Sequence, residues 1–258
     1  GVTPYYSLFF DKTDSNSEII FERRFQFPEI THCIHMQWSL DPADADRGSW
    51  NGLYPTQNLV DAYETTDGKL ISDPTSIYNP QDPYANRDSR FYQTLLYHGS
   101  RWEGNTLWMH TNTVDPQQSG SCQPGPYRAR CGYGLRKMMV EYMGAAGDLY
   151  STAYAQDNNW PYFRYAEILL NYAEARNEYL DAPDTEVYNA INEVRDRAKQ
   201  PALPANLSKE EMRLRIRNER RVELCLEEHR FFDLRRWKDA ETPVSYTHLR
   251  AHETGAYL

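Results

Sequence analysis

Between residues 162 and 180, apolar side chains recur at Tyr165, Ile168, Leu169, Tyr172 and Ala173, and Arg176 continues the spacing. The i, i+3, i+4, i+7 pattern predicts an amphipathic helix. Asp181-Ala-Pro-Asp184 breaks it, and a second apolar face follows at Val187, Ile191, Val194 and Ala198, ended by Pro201 and Pro204. Two helices joined by so short a break predict an antiparallel hairpin. Its dimensions suit one tetratricopeptide-like repeat, which does not bury its own face without neighbours. A third helix is predicted from Ser208. This serine and Glu211 have the spacing of a capping box, in which each side chain satisfies the other's free backbone N–H. The pattern runs on through Met212, Ile216, Val222 and Leu226 towards Phe231 and Trp237.

The first half reads differently. Phe21, Arg23, Phe25 and Phe27 alternate as on one side of a strand, after a turn cluster at residues 14–17. From about 39 to 90 the chain is rich in Asp, Asn, Gly and Pro, with one short helical stretch over 56–63. Residues 90–109 predict strand or turn, with Phe91, Leu95, Tyr97, Trp102 and Trp108 as apolar positions. Loops of this length tend to carry function.

Composition narrows the classes. The 258 residues carry 28 basic and 37 acidic side chains, a net charge of −9, which counts against a sequence-independent nucleic-acid binder. No run approaches the roughly 18 consecutive apolar residues of a membrane helix, and Gly1 opens directly onto Val2-Thr3-Pro4 with no signal sequence. Aromatic residues make up 14%, with 20 Tyr and 6 Trp. Flat amphipathic rings in such supply suit a binding surface as well as a core. Residues 209–238 hold ten basic and seven acidic side chains. Arg217 with Glu219 and Arg220 with Glu223 predict a face of ion pairs within and between helices, in preference to a nucleic-acid patch.

Metal and cysteine chemistry is sparse. His32 and His35 flank Cys33, but no second cluster completes a metal site. Asp41, Asp44 and Asp46 resemble the start of a calcium loop, yet the twelfth position from Asp44 is Pro55, so a solvated acidic turn is expected. Cys122 and Cys131 flank a Gly/Pro-rich loop and have the spacing to close it as a disulfide. Cys225 is expected as a small buried residue. No cofactor is implied.

Several segments resemble the SusD/RagB family of outer-membrane nutrient-binding lipoproteins. They are RYAEILLNYAEA at 164–175, AINEVRDRA at 190–198, IRNERRVEL at 216–224 and HRFFDLRRW at 229–237. Upstream, EIIF at 18–21, PTQNLVDAY at 55–63 with Asp67-Gly68, NRDSRF at 86–91 and YHGSRW at 97–102 with Gly104 match in the same order. One departure is Glu228-His229, where relatives usually carry Glu-Gly. The resemblance implies a mainly α fold with loop-rich insertions and short strands. In it, four tetratricopeptide-like helix pairs support a loop-rich ligand-binding part. On that expectation residues 1–160 are the loop-rich part, 161–200 the last helix pair and 208–238 a C-terminal helical segment. The other pairs, the signal peptide and a lipidated cysteine would precede this chain. It further implies a surface-exposed outer-membrane lipoprotein, attached to the membrane by that lipid alone. Such proteins capture oligosaccharides, or in some relatives peptides, for a SusC-like TonB-dependent transporter. They bind without catalysis.

Residues 244–254 read VSYTHLRAHET. They resemble nothing in the family and read codon for codon as one frame of a transposon-end sequencing adapter. Residues 244–258 are therefore expected to be foreign to the fold, which leaves 1–243 as a partial domain and excludes His248 and His252 as ligands. Sugar rings present apolar C–H faces to aromatic planes and hydroxyl edges to polar side chains. The candidates outside the helical pattern are Trp38, Trp50, Tyr54 and Trp108, with Arg47 and Asn51 as polar neighbours. Trp102 belongs to a family motif and is expected to be structural. A glycosidase would need two carboxylates flanking a cleft. Asp41, Asp44, Asp61 and Glu64 are available, but their spacing picks out no pair, and no nucleophile elbow or phosphate loop is present.

Overall fold

The computed structural model describes residues 4–10, 12, 16–39, 52–102, 104–109, 132–141 and 155–239. Arg47, Trp50 and Asn51, the Asp41–Asp44–Asp46 cluster, Cys122 with Cys131, and the tail from 244 lie outside them. The described residues are mostly helical with short strands. The helices are α1 (Pro4–Ser7), α2 (Ile34–Trp38), α3 (Gln57–Ala62), α4 (Ser89–Thr94), α5 (Tyr165–Tyr179), α6 (Thr185–Arg197), α7 (Lys209–Glu223) and α8 (His229–Arg236). The strands are β1 (Ile19–Arg23), β2 (Leu95–Leu96), β3 (Arg101–Trp102), β4 (Asn105–Thr106), β5 (Gly134–Leu135) and β6 (Trp160–Arg164). They form three antiparallel pairs: β1 with β6, β2 with β5, and β3 with β4.

The helical half forms as its periodicity dictates. α5 buries Ala166, Leu170, Ala173 and Asn177 along one face. The three apolar ones meet Val187, Ala190, Ile191 and Val194 of α6 and Met212 and Ile216 of α7 in one core, and the Asn177 amide donates to Lys209 O. Asp184 serves both helices of the hairpin. Its carboxylate accepts the Val187 N–H to cap α6 and pairs with Arg176 of α5 at 2.5 Å. The capping box at α7 is complete: Ser208 Oγ accepts from the Glu211 N–H at 3.2 Å, and the Glu211 carboxylate accepts from the Ser208 N–H at 2.8 Å. Replacing Ser208 with Ala is expected to cost about 1 kcal/mol of stability. Urea unfolding measures this, and an unchanged midpoint would show the cap to be redundant.

Three predicted elements come out differently. The helix expected from residue 162 starts at Tyr165, because Trp160–Arg164 pairs with β1 and the Tyr165 N–H donates to Glu18 O. Residues 89–94 are helical rather than extended, since Asp88 caps them by accepting the Arg90 N–H at 2.8 Å while Phe91 and Thr94 are buried. The third helix does not run through to residue 237. It stops after Glu223, and Leu226 and Glu228 take left-handed backbone angles before α8 begins.

Two further cores hold the loop-rich half. One joins Tyr5, Leu8, Phe9, Leu96, Trp102, Leu107, Leu135, Met138 and Met139. Trp102 is fully buried there, as a structural residue should be. The other joins Val60, Ala62, Tyr63, Phe91, Leu95 and Tyr133 to Val222 of α7. The β1–β6 ribbon leaves Phe21, Tyr162 and Phe163 more than half exposed, with Phe21 stacked on Tyr162. The period-2 pattern therefore marks a strand whose aromatic residues are not core.

The charges of α7 do not pair along their own helix as Arg217–Glu219 and Arg220–Glu223. They reach across the molecule. Glu223 accepts from Arg90 of α4 at 2.9 Å, from Arg164 at 2.6 Å and from Arg197 of α6. Glu219 accepts from Arg90 at 2.5 Å and from Arg195 at 3.0 Å. Arg220 instead donates to Asp233 of α8, and Arg217 to Asp239. Through shared partners, six cations (Arg90, Lys137, Arg164, Arg195, Arg197, Arg215) are linked to six anions (Glu18, Glu64, Asp88, Glu219, Glu223, Glu227). The balance is necessary. Buried charge is tolerated when each ion finds opposite charge and hydrogen bonds.

Candidate functional site

Three long segments leave and re-enter the described structure around the Trp102 core. Residues 40–51 lie between Ser39 and Gly52, 110–131 between Met109 and Gly132, and 142–154 between Glu141 and Ala155. Trp38, Leu53, Met109 and Trp160 all pack against that core, of which Met138 and Met139 are members. Ser39 bridges to Leu135, and His32 pairs with Gln156. At the first root the Gly52 N–H donates to Gln37 O at 2.7 Å. A Cβ at Gly52 would sit 2.9 Å from that carbonyl oxygen, so the close approach demands glycine.

The described candidates occupy distinct places. Trp38 is half-buried at the end of α2, with its ring edge-on to Trp160 at 6.0 Å. Trp108 is half-buried beside His98, whose Nδ1 accepts the Met109 N–H. Tyr54 lines a cavity of about 310 Å³ walled by Leu53, Pro55, Leu59 and Leu226, with Arg221, Cys225 and Arg230. The structure thus brings Trp38 and the Tyr54 segment to one root of the 40–51 segment and leaves Trp108 at another.

Other candidate chemistries find no support among the described residues. His32 uses Nε2 against Asn158 O and Nδ1 to accept the Ile34 N–H, and burial lowers His35 to about 4. No group of three metal-ligating side chains occurs among the described residues. Burial pushes the Cys225 thiol up to about 11, so it is neutral at pH 7 and a poor nucleophile. Glu64 is engaged by Arg195 and Arg215, and Asp61 accepts from the Gln57 amide. No helix among the described residues is long and apolar enough to cross a membrane.

Sequence reasoning missed the arginines of the cavity. Arg221 and Arg230 lie in the charge-dense segment that reads as a face of paired ions. The segment's excess of basic over acidic side chains is met by carboxylates elsewhere in the chain, among them Glu64, Glu174, Glu178 and Asp239, so it did not mark these two.

The family model of the SusD family matches residues 11–254, a range that reaches into the segment after 243. A SusD-like protein P2 of Formosa agariphila is 34% identical over 110 residues, covering 40% of this chain and 22% of that protein. A SusD-like protein of Bacteroides fragilis is 31% identical, with a TM-score of 0.68 over 93% of this chain and 47% of the other. A SusD-like carbohydrate-binding protein of the same species is 25% identical, with a TM-score of 0.68 over 88% of this chain and 43% of the other. The chain therefore spans less than half the length of these relatives.

Proposed function

Because this chain belongs to the SusD family, we propose that it is part of a cell-surface protein that binds oligosaccharides and passes them, uncleaved, to a SusC-like TonB-dependent transporter. The outer-membrane attachment in this reading is a lipid on a part of the protein outside this chain. The observation that carries the proposal is the shared fold with a carbohydrate-binding SusD-like protein. Trp38, Leu53, Met109 and Trp160 pack on one core, and binding residues are commonly carried on loops that a packed scaffold positions.

Within this reading Trp38, Trp50, Tyr54 and Trp108 supply the aromatic planes, and Arg47 and Asn51 the polar contacts. Calorimetry of the complete protein against an oligosaccharide panel, with chromatography of the mixtures, tests the function. Binding with no new products is expected. Released products would refute the non-catalytic reading, and a panel without any binder would refute the ligand class. Replacing Trp38 or Trp50 with Ala is expected to weaken the best ligand by about 1–3 kcal/mol. Trp38 also packs on Trp160, so Trp38→Phe, which keeps the packing, serves as its control. Unchanged affinity in both alanine variants would remove these two residues from the site.

A further inference from the structure

Residues 134–139 form a short stem through the Trp102 core, to which Leu135, Met138 and Met139 belong. Leu135 bridges to Ser39, the neighbour of Trp38. Leu107, the neighbour of Trp108, is a member of the same core. Both described tryptophan candidates therefore stand where this stem sets the floor. Towards α4 the stem is tied by the two-residue β2–β5 pair and by Thr94 O, which accepts the Arg136 N–H at 2.8 Å.

Towards the helical half it is tied by Lys137. This side chain is 1% exposed, a rare place for a lysine. Its Nζ donates to the Glu227 carboxylate at 2.6 Å, to Cys225 O at 2.6 Å and to Glu223 O at 3.3 Å, one acceptor for each N–H of the ammonium. The rings of Phe9 and Tyr5 lie 4.7 and 5.1 Å away. Burial alone would push the Lys137 ammonium down, but Glu227 outweighs it and holds it above the usual lysine range. The three acceptors lie at the end of α7 and in the turn that leads to α8, and Leu226 of that turn packs on the same core. A methionine would fill similar space without desolvating a charge, so stability alone does not call for an ammonium here. What the ammonium adds is direction. Three oriented bonds fix the stem along the turn, whereas apolar contact alone lets it shift. The next residue, Met138, has a φ of 64°, in the left-handed region that favours glycine. Such a conformation persists where the surroundings over-determine it.

We propose that Lys137 is a positioning residue for glycan binding: pinned to the turn between α7 and α8, it fixes the stem that sets where Trp38 and Trp108 stand. This rests on the glycan-binding reading above. Being buried, Lys137 acts through those two rings.

The test uses the complete protein labelled with 5-fluorotryptophan, its fluorine signals assigned by Trp→Phe replacements. Lys137→Met is expected to move the signals of Trp38 and Trp108 and to leave that of Trp237, beyond α8, in place. The fold should survive, because Arg164 still pairs with Glu227. Calorimetry well below the melting temperature uses maltoheptaose, xylohexaose, mannohexaose and trigalacturonate. The tightest-bound of the four is expected to weaken about threefold to thirtyfold. Tyr5→Phe is the control: it removes a hydrogen bond to the same Glu223 carbonyl and keeps the ammonium. It should lower stability and leave both tryptophan signals and affinity unchanged. If Lys137→Met does not fold, Glu227→Gln, which keeps volume and an acceptor but removes the charge, loosens the same contact and should move the same two signals by less. Unmoved signals of Trp38 and Trp108 in the variant that folds would overturn the pin. So would moved signals with unchanged affinity, or an equal loss of affinity in Tyr5→Phe. Moved signals with none of the four probes bound by the unaltered protein would overturn the glycan reading while Lys137 still positions the two rings.

Discussion

Replacing Glu223 with Gln is expected to destabilise the protein by about 3–5 kcal/mol, more than any other single change of a charged side chain considered above. Glu223 is fully buried and accepts from Arg90, Arg164 and Arg197, which come from three separate stretches of the chain. Glutamine keeps the shape but removes the charge, leaving six buried or half-buried cations to share five anions. One uncompensated guanidinium in a low-dielectric interior costs several kcal/mol, because its water is not returned. The same substitution at Glu210, exposed and 3.7 Å from Arg213, should change stability by less than about 0.5 kcal/mol. Chemical denaturation of both variants decides the matter. Equal small effects would mean that the buried network contributes no more than a surface pair.

The second large effect is acid unfolding, and its sign follows from the same carboxylates. Burial alone would push Glu223 up, but Arg197, Arg164 and Arg90 outweigh it and hold the carboxyl well below the usual range. Glu227 is lowered in the same way by Arg164 and Lys137. A carboxylate depressed in the folded state adds stability that is fully present above its unfolded value. That stability is lost as pH falls towards the folded one. The melting temperature should therefore be flat near neutrality and fall steeply below about pH 4.5. Burial shifts Glu64 in the opposite direction despite Arg195 and Arg215, so its protonation does not add to the loss. Since Glu223 and Glu227 are shielded from solvent, added salt should leave the fall largely unchanged. The Glu223→Gln variant should show a shallower pH profile, and parallel profiles would assign the acid sensitivity to other groups.

The helices were readable where their causes are local. The apolar face of α6, the Asp184 cap and the Ser208–Glu211 box all act within one or two turns, so sequence spacing suffices. What was not readable depends on partners far along the chain. Tyr162 and Phe163 fit a helical pattern until β1, some 140 residues earlier, supplies an antiparallel neighbour. Arg217 and Glu219 have helix-neighbour spacing, but Glu219 is claimed by Arg90 and Arg195, whose positions only the assembled fold determines. The family motifs pointed to the architecture because they carry much of this network: Arg90, Arg164, Arg195, Arg197, Glu219 and Glu223 all lie within them. The site was less legible for the converse reason. An aromatic residue in a loop carries no local mark of whether it faces solvent or, like Trp102, fills a core.

The clasp at Gly52 bears on how such a protein diversifies. With Ser39 and Gly52 both fastened at the end of α2, the segment between them begins and ends at fixed neighbouring points, whatever its content. For a chain closed at two fixed points, doubling the length between them costs only about 0.6 kcal/mol more. Lengthening the chain between Ser39 and Gly52 is therefore cheap in closure entropy, provided the glycine stays. Freedom to vary is lowest at Gly52 itself, where any side chain would meet the Gln37 carbonyl, and in the buried carboxylate that three arginines share.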